Sequence, residues 1–303
     1  MEKKPLVVVN GLVRKDAIAY LKEHVDVRQW TEKTVMPREV LKEWLIDADG
    51  LWCVRPLDVD GDLVKNAPNL KVIAQAAVGY DNVNIDELTA AGIPYGNTPG
   101  VLNETVAELA FTLIATASRR IIENANFVKD GRWAQRPSNI KGFDLSRRTL
   151  GIIGMGAIGV SISRRARAFG MTVVYHNRNQ RLDDKIHKTT YMELDDLLAI
   201  SDVVCVMAPL TDETYHMCDE AFFKKMKNTA LFVNVGRGPI VDTDALINAL
   251  KTGEIDYAAL DVTDPEPLPA DHPLLDVENC LIVPHIGSYT DRTRYDIDRK
   301  SVV

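Results

Sequence analysis

Gly151-Ile152-Ile153-Gly154-Met155-Gly156-Ala157-Ile158-Gly159 is the stretch whose reading decides the fold. A β-branched, apolar run, Thr149–Ile153, ends in Gly154-x-Gly156-x-x-Gly159, and a segment of helical period, Ala157–Phe169, follows. A lone Gly-x-Gly-x-x-Gly is weak evidence, because glycine is common. Set between a strand and a helix it points to a dinucleotide-binding unit. The first glycine permits the tight turn, the second lets the backbone approach a pyrophosphate, and the third lets the helix pack closely on the strand. The helix N-terminus offers unpaired N–H groups and a positive partial charge to the phosphates. Gly154, Met155, Gly156, Ala157, Ile158 and Gly159 are therefore the first candidate cofactor contacts. A simple tight turn, or a site for another nucleotide-like ligand, is the alternative.

Outward from this loop the chain repeats one pattern. Thr172–Tyr175, Asp202–Met207, Ala230–Val235, Tyr257–Leu260 and Cys280–Val283 are short apolar runs, mostly separated by helical segments. With Thr149–Ile153 they predict six buried strands. Upstream, Leu6–Val9, Gly50–Val54, Val72–Ala76 and Ile93-Pro94-Tyr95 alternate with segments such as Pro37–Asp47. Strands alternating with helices imply parallel sheets covered on both faces. The fold class expected is α/β, with two Rossmann-like, doubly wound parallel-sheet domains. Asn103–Lys129, with no internal Gly or Pro, predicts one long linking helix, and Gly131–Ser146 reads as loop. A length of 303 residues and 46% apolar content suffice for two cores.

Composition excludes other classes. A net charge of -7 argues against a nucleic-acid surface, and Arg164-Arg165-Ala166-Arg167 reads as a solvated helix face. Cys53, Cys205, Cys218 and Cys280 form no Cys-x-x-Cys pair, so neither a zinc site nor a disulfide framework is expected, and a reducing compartment fits. With no signal segment and no 18-residue apolar stretch, a cytoplasmic chain without a membrane partner is expected.

The strand after the glycine loop ends at Tyr175-His176-Asn177-Arg178. An acid here would accept from the adenosine ribose and repel a 2′-phosphate; a guanidinium attracts one. Asn177 and Arg178 therefore predict NADP(H) as the preferred cofactor, with NAD(H) possible. The alternative is a surface Arg178 stacking on adenine in an enzyme that uses either.

Four further segments carry a resemblance: Val78-Gly79-Tyr80-Asp81-Asn82-Val83, Asn97-Thr98-Pro99-Gly100, Val233-Asn234-Val235-Gly236-Arg237-Gly238 and Pro284-His285-Ile286-Gly287-Ser288. In this order around the glycine loop, they resemble the D-isomer-specific 2-hydroxyacid dehydrogenase family, over about residues 45 to 294. Within it the chain is most similar to the glyoxylate, hydroxypyruvate and 2-ketogluconate reductases. The resemblance implies reduction of a small 2-keto acid to the D-2-hydroxy acid with NAD(P)H. It also implies a discontinuous, flavodoxin-like substrate domain (1–98 with 286–303), an NAD(P)-binding domain (99–285), an active site in the cleft, and a homodimer using Asn103–Lys129 and Gly131–Ser146. A phosphoglycerate-type dehydrogenase and a dinucleotide-sensing, corepressor-like scaffold are the other readings.

The chemistry needs a group to hold the carboxylate, a proton for the carbonyl oxygen and a hydride. Arg237, between two glycines after a strand, offers a guanidinium with bidentate geometry; a structural pair with Asp242 is its bland reading. His285 offers a proton near neutral pH. Glu266, in Asp264-Pro265-Glu266-Pro267, could fix the imidazole's tautomer. By resemblance these three are the catalytic set. The same resemblance assigns the Val78 and Gly79 amides to the substrate carboxylate, Asp261 to the nicotinamide carboxamide, and Ala208, Pro209, Val235 and Gly287 to the cofactor's surroundings; Arg55, in Val54-Arg55-Pro56, reads as a further substrate contact or as a surface residue. Two departures from the family pattern stand out. Tyr289 and Arg292 replace a small residue and an acid. The ending after Arg294 is short and polar, which predicts core surface on the first domain left uncovered.

Overall fold

A computed structural model describes residues 4–55 and 57–302. By packing, the chain divides into two units, Met1–Leu102 with Tyr289–Val303, and Asn103–Ser288.

The first unit carries strands β1 (Leu6–Val9), β2 (Asp26–Gln29), β3 (Gly50–Cys53), β4 (Val72–Gln75) and β5 (Tyr95–Gly96), with helices α1 (Lys15–His24), α2 (Arg38–Leu45), α3 (Gly61–Val64) and α4 (Ile85–Ala90). All pairings are parallel, in the order β2-β1-β3-β4-β5. Val8, Leu41, Leu45, Leu51, Leu63, Ile73 and Leu88 fill its core. Strand β2 has no apolar run to announce it: Asp-Val-Arg-Gln is a polar edge strand paired only to β1. The polar ending forms a helix, Asp291–Val302, whose Ile297 is buried together with Thr293 and Asp298.

The second unit opens with α5 (Asn103–Ser118) and α6 (Ile121–Lys129). Then follow β6 (Thr149–Ile153), α7 (Ala157–Ala168), β7 (Thr172–His176), α8 (Asp184–His187), β8 (Thr190–Tyr191), α9 (Leu194–Ile200), β9 (Val203–Val206), α10 (Glu220–Lys225), β10 (Leu231–Asn234), α11 (Thr243–Thr252), β11 (Tyr257–Leu260) and β12 (Cys280–Ile282). The sheet is parallel throughout, ordered β12-β11-β10-β9-β6-β7-β8. Alternate residues of each strand enter two different cores: Ile153, Val204, Val206 and Phe232 on one face, Ile152, Val203, Cys205, Leu231 and Val233 on the other. Burial on both faces is why these strands read as unbroken apolar runs rather than alternating ones. Both units are thus doubly wound parallel α/β structures, as expected.

The single helix expected over Asn103–Lys129 is two. Arg120 takes φ 50°, in the left-handed region, and interrupts it. The chain returning at Gly142 seals the break. Phe143 donates its amide to the Ser118 carbonyl at 2.7 Å. A Cβ on Gly142 would lie 2.1 Å from that same oxygen. Neither Arg119 nor Arg120, the two residues between the helices, is Gly or Pro, so local sequence offers no warning. Strand β8, two residues long at the sheet edge, likewise has no signal in the sequence.

Candidate active site

In an open parallel sheet, ligand groups collect at the carboxyl ends of the strands, near the point where strand order reverses. In the second unit that point lies between β6 and β9. The glycine loop leaves β6 there, and its three glycines have three separate reasons. Gly154 has φ 98°, and a Cβ would sit 2.5 Å from the Ala208 amide nitrogen. Gly159 packs the helix on the turn, since a Cβ would meet the Gly154 carbonyl at 2.9 Å. Gly156 has no atom within 4 Å of its would-be Cβ and an ordinary φ of -86°. Among the described residues nothing requires a glycine at 156; a ligand passing over it would. Among the described residues, the Ala157, Ile158 and Gly159 amides at the start of α7 donate to no protein acceptor, and no side chain caps them. This cradle fits a pyrophosphate.

The adjoining residues are more tightly organised than the sequence suggests. The Met155 amide donates to Asn177 Oδ1 at 2.6 Å, and the Met155 carbonyl accepts from Arg181 at 2.9 Å. Met155 itself is buried, so it forms the floor of the loop. Arg178 is exposed and pairs with Glu213 at 3.2 Å. Arg181 is held by Asp183 at 2.8 and 2.6 Å. Sequence reading misses Arg181 and Glu213; a second arginine three residues after Arg178 is the available signal. Ala208 lines the loop, Pro209 is exposed beyond it, and Val235 is buried after β10.

Past β10, the buried Asn234 shapes the arginine loop. Its Nδ2 donates to the Arg237 carbonyl at 2.9 Å, and its Oδ1 accepts from the Gly236 amide at 3.0 Å. Past β11, Asp261 is buried and accepts from the amides of Ile286 (2.6 Å) and Gly287 (2.9 Å). Burial pushes its pKa upward, and these two amides oppose that rise. A Cβ on Gly287 would lie 2.9 Å from Asp261 Oδ2, so only glycine leaves room for the contact.

Asp261 thereby staples the turn that carries His285. That residue sits at φ 50°, a conformation costing a non-glycine residue about 1–3 kcal/mol. Its amide donates to the Asp261 and Val283 carbonyls at 2.9 and 3.0 Å. His285 Nδ1 meets Glu266 Oε1 at 2.6 Å, and both side chains are partly open to solvent. The Glu266 hydrogen bond raises the imidazole pKa; burial and the Arg237 charge work against it, and Asp261 supports it. With Nδ1 committed to a carboxylate, Nε2 is the atom left to exchange a proton with a ligand.

In the first unit, the Val78–Gly79 turn follows β4. Gln75 donates to the Gly79 carbonyl and Asn97 to the Val78 carbonyl, each at 2.8 Å. Both carbonyls are thus turned onto side-chain amides. Among the described residues the Val78 and Gly79 amides donate to no protein acceptor. Arg55 follows β3 with an exposed side chain, and Asn10 Oδ1 accepts from its amide at 3.2 Å and from that of Val54 at 2.7 Å. Gln75 and Asn97 are positioning groups that sequence reading passes over; Gln75 is a buried amide at the end of an apolar strand.

Among the described residues no helix is long and apolar enough to cross a membrane. The profile of the D-isomer specific 2-hydroxyacid dehydrogenase NAD binding domain matches residues 111–287. A glyoxylate reductase of Korarchaeum cryptofilum is 42% identical over 294 residues, covering 96% of this chain and 89% of that one. The crystal structure of the TT0316 protein of Thermus thermophilus superposes with a TM-score of 0.92 at 38% identity, covering 98% of this chain and 94% of that one. An NADPH-dependent glyoxylate/hydroxypyruvate reductase of Sinorhizobium meliloti, solved with NADP and malonate, gives 0.90 at 29% identity, covering 99% and 92%. The domain that carries the glycine loop accordingly binds a nicotinamide dinucleotide. Likeness of this degree over almost the full length of each chain makes the protein an oxidoreductase of the D-isomer specific 2-hydroxyacid dehydrogenase family.

Proposed function

We propose that the chain reduces glyoxylate, hydroxypyruvate or 2-ketogluconate to the D-2-hydroxy acid, with NADPH preferred over NADH. The observation that carries the reading is the 2.6 Å contact between His285 Nδ1 and Glu266, which leaves Nε2 as a proton donor of raised pKa. A bound reduced nicotinamide supplies the hydride. Arg237 holds the substrate carboxylate and polarises its carbonyl oxygen, and His285 Nε2 gives that oxygen its proton as negative charge develops. Glu266 stabilises the imidazolium before transfer and holds the neutral tautomer afterwards. The unpaired Val78 and Gly79 amides are the proposed carboxylate donors, with Arg55 as a further contact. Asp261 keeps a second lone pair on each oxygen for the nicotinamide carboxamide.

The NADPH preference rests on Arg178 and Arg181 beside the glycine loop and on the lack of an acid at the end of β7. The Sinorhizobium enzyme, NADPH-dependent by name, supports it. Exposed Ile121, Ile122, Val128 and Trp133 on and after α6 support a homodimer through that segment. A spectrophotometric panel of glyoxylate, hydroxypyruvate, pyruvate and 2-ketogluconate with each cofactor tests the reading. Turnover of none of the four contradicts the activity. Higher kcat/KM with NADH contradicts the role given to Arg178.

A further inference from the structure

Glu266 lies on an open loop and is partly exposed, yet it must meet His285 at hydrogen-bond distance. The two prolines of Asp264-Pro265-Glu266-Pro267 stiffen the loop but do not by themselves anchor it to the rest of the fold. Two hydroxyls from outside the tetrapeptide do. Thr243 Oγ1, on the first residue of α11, donates to the Asp264 carbonyl at 2.9 Å. Thr263 Oγ1, buried at the root of the loop, donates to the Pro265 carbonyl at 2.9 Å. The two bonds hold the carbonyls of two successive peptides, Asp264–Pro265 and Pro265–Glu266, immediately before the Glu266 side chain.

A third contact joins this loop to the arginine loop. Gly238, next to Arg237, has its Cα against the Thr263–Asp264 peptide: a Cβ there would lie 1.9 Å from the Thr263 carbonyl oxygen and 2.8 Å from the Asp264 nitrogen. The two loops thus meet backbone to backbone, one residue from Arg237 and two from Glu266. Asn234 fixes the other side of the arginine loop through the Arg237 carbonyl.

We propose that the Thr243 and Thr263 hydroxyls, with the bare Cα of Gly238, are positioning groups that set the Glu266–His285 contact and tie it to the Arg237 loop. None of the three needs to touch substrate or cofactor. Their effect passes through Glu266. A carboxylate within about 4–6 Å shifts a neighbouring group's pKa by about 1–3 units, so a loosened loop lets His285 fall back toward its ordinary value. The charged groups facing His285 are Glu266, Asp261 and Arg237. Neither threonine hydroxyl bonds to Asp261 or to the Arg237 loop, so only the Glu266 contribution changes.

This inference rests on the proposed reductase reading, and its test separates the two. The His285 titration is followed by NMR in full-length protein labelled with 13C-histidine, using His285→Asn to assign the resonance, alongside the pH profile of kcat. Thr243→Val and Thr263→Val are each expected to move the His285 midpoint toward acid by about one unit. The alkaline limb of kcat for reduction should follow, with the KM for NADPH unchanged. Thr263→Ser keeps the hydroxyl and is expected to titrate like the parent. Thr243 is only partly buried, so Thr243→Val supplies the measurement even if Thr263→Val does not fold. A midpoint left in place by the valine variants overturns the proposal, whatever their melting temperatures. A parent protein that turns over no 2-keto acid defeats the functional reading but leaves the NMR comparison standing.

Discussion

Replacing Gly156 by Ala should weaken dinucleotide binding markedly while leaving the fold intact. The Cβ has no protein atom within 4 Å, and φ of -86° is open to any residue. Losing glycine's freedom in the unfolded chain stabilises by about 0.4–1 kcal/mol. Alanine is a poorer N-cap than glycine, and that costs a similar amount. The two offset, so the melting temperature should stay within about 4 °C of the parent, taking about 2–4 °C per kcal/mol for a domain of this size. Binding is another matter. A methyl group inserted where a ligand packs on bare backbone costs about 1–3 kcal/mol, which is about 5- to 150-fold in affinity. Gly159→Ala and Gly154→Ala are the controls. The first drives a Cβ to 2.9 Å from the Gly154 carbonyl; the second adds a left-handed φ to a 2.5 Å clash with Ala208. Both should lower the melting temperature clearly. Calorimetric titration with NADPH and a thermal melt on each variant make the comparison. A Gly156→Ala protein that melts as low as Gly159→Ala, or binds NADPH like the parent, would refute the reasoning.

Further outcomes follow from the same geometry. Glu266→Gln removes the main cause of the raised His285 pKa, so the alkaline limb of the reduction profile should move down toward about pH 6.5; a kcat profile with an unmoved limb counts against the pair. The sign is fixed by chemistry: reduction consumes the imidazolium, which a raised pKa keeps populated to higher pH. Glu213→Gln frees Arg178 from an exposed ion pair worth about 0.2–1 kcal/mol, and should lower the KM for NADPH by up to about fivefold while leaving that for NADH in place. Asp298 is buried, one of its oxygens has no hydrogen-bond partner among the described residues, and burial raises its pKa. A raised folded pKa means that stability present below about pH 4 is lost as pH rises through the folded value. Asp298→Asn should therefore raise the melting temperature at pH 7 and not at pH 3.5; an equal change at both would show that ionisation is not the cause.

Most of the architecture is legible because a parallel sheet buried on both faces writes itself as continuous apolar runs, as in Val203–Val206 and Leu231–Asn234. What escapes lies at edges and breaks. Strand β2 is polar and β8 is two residues long, and an edge strand needs little apolar signal. The division at Arg120 is imposed by the returning chain at Gly142, far along the sequence. In the site, the motifs lead to Arg237, Glu266 and His285, and the structure brings His285 and Glu266 into contact. The residues that hold them in place, such as Thr243, Thr263 and Asn234, carry no motif of their own. Their roles arise from hydroxyl and amide groups meeting backbone carbonyls across the fold.

The bond between Asn177 and the floor of the glycine loop has a consequence for any attempt to alter the nucleotide preference proposed for this chain. An acid at position 177 is the obvious graft toward NADH. Aspartate would still accept from the Met155 amide, but its second oxygen would replace the Nδ2 that points at the Met155 carbonyl at 3.4 Å. Two acceptors would then face one another, and Arg181, already bonded to that carbonyl, would be drawn to the new charge. Swapping the nucleotide preference therefore rewires the glycine loop as well, and because Met155 takes part only through its backbone, a redesign has to change positions 177 and 181 together.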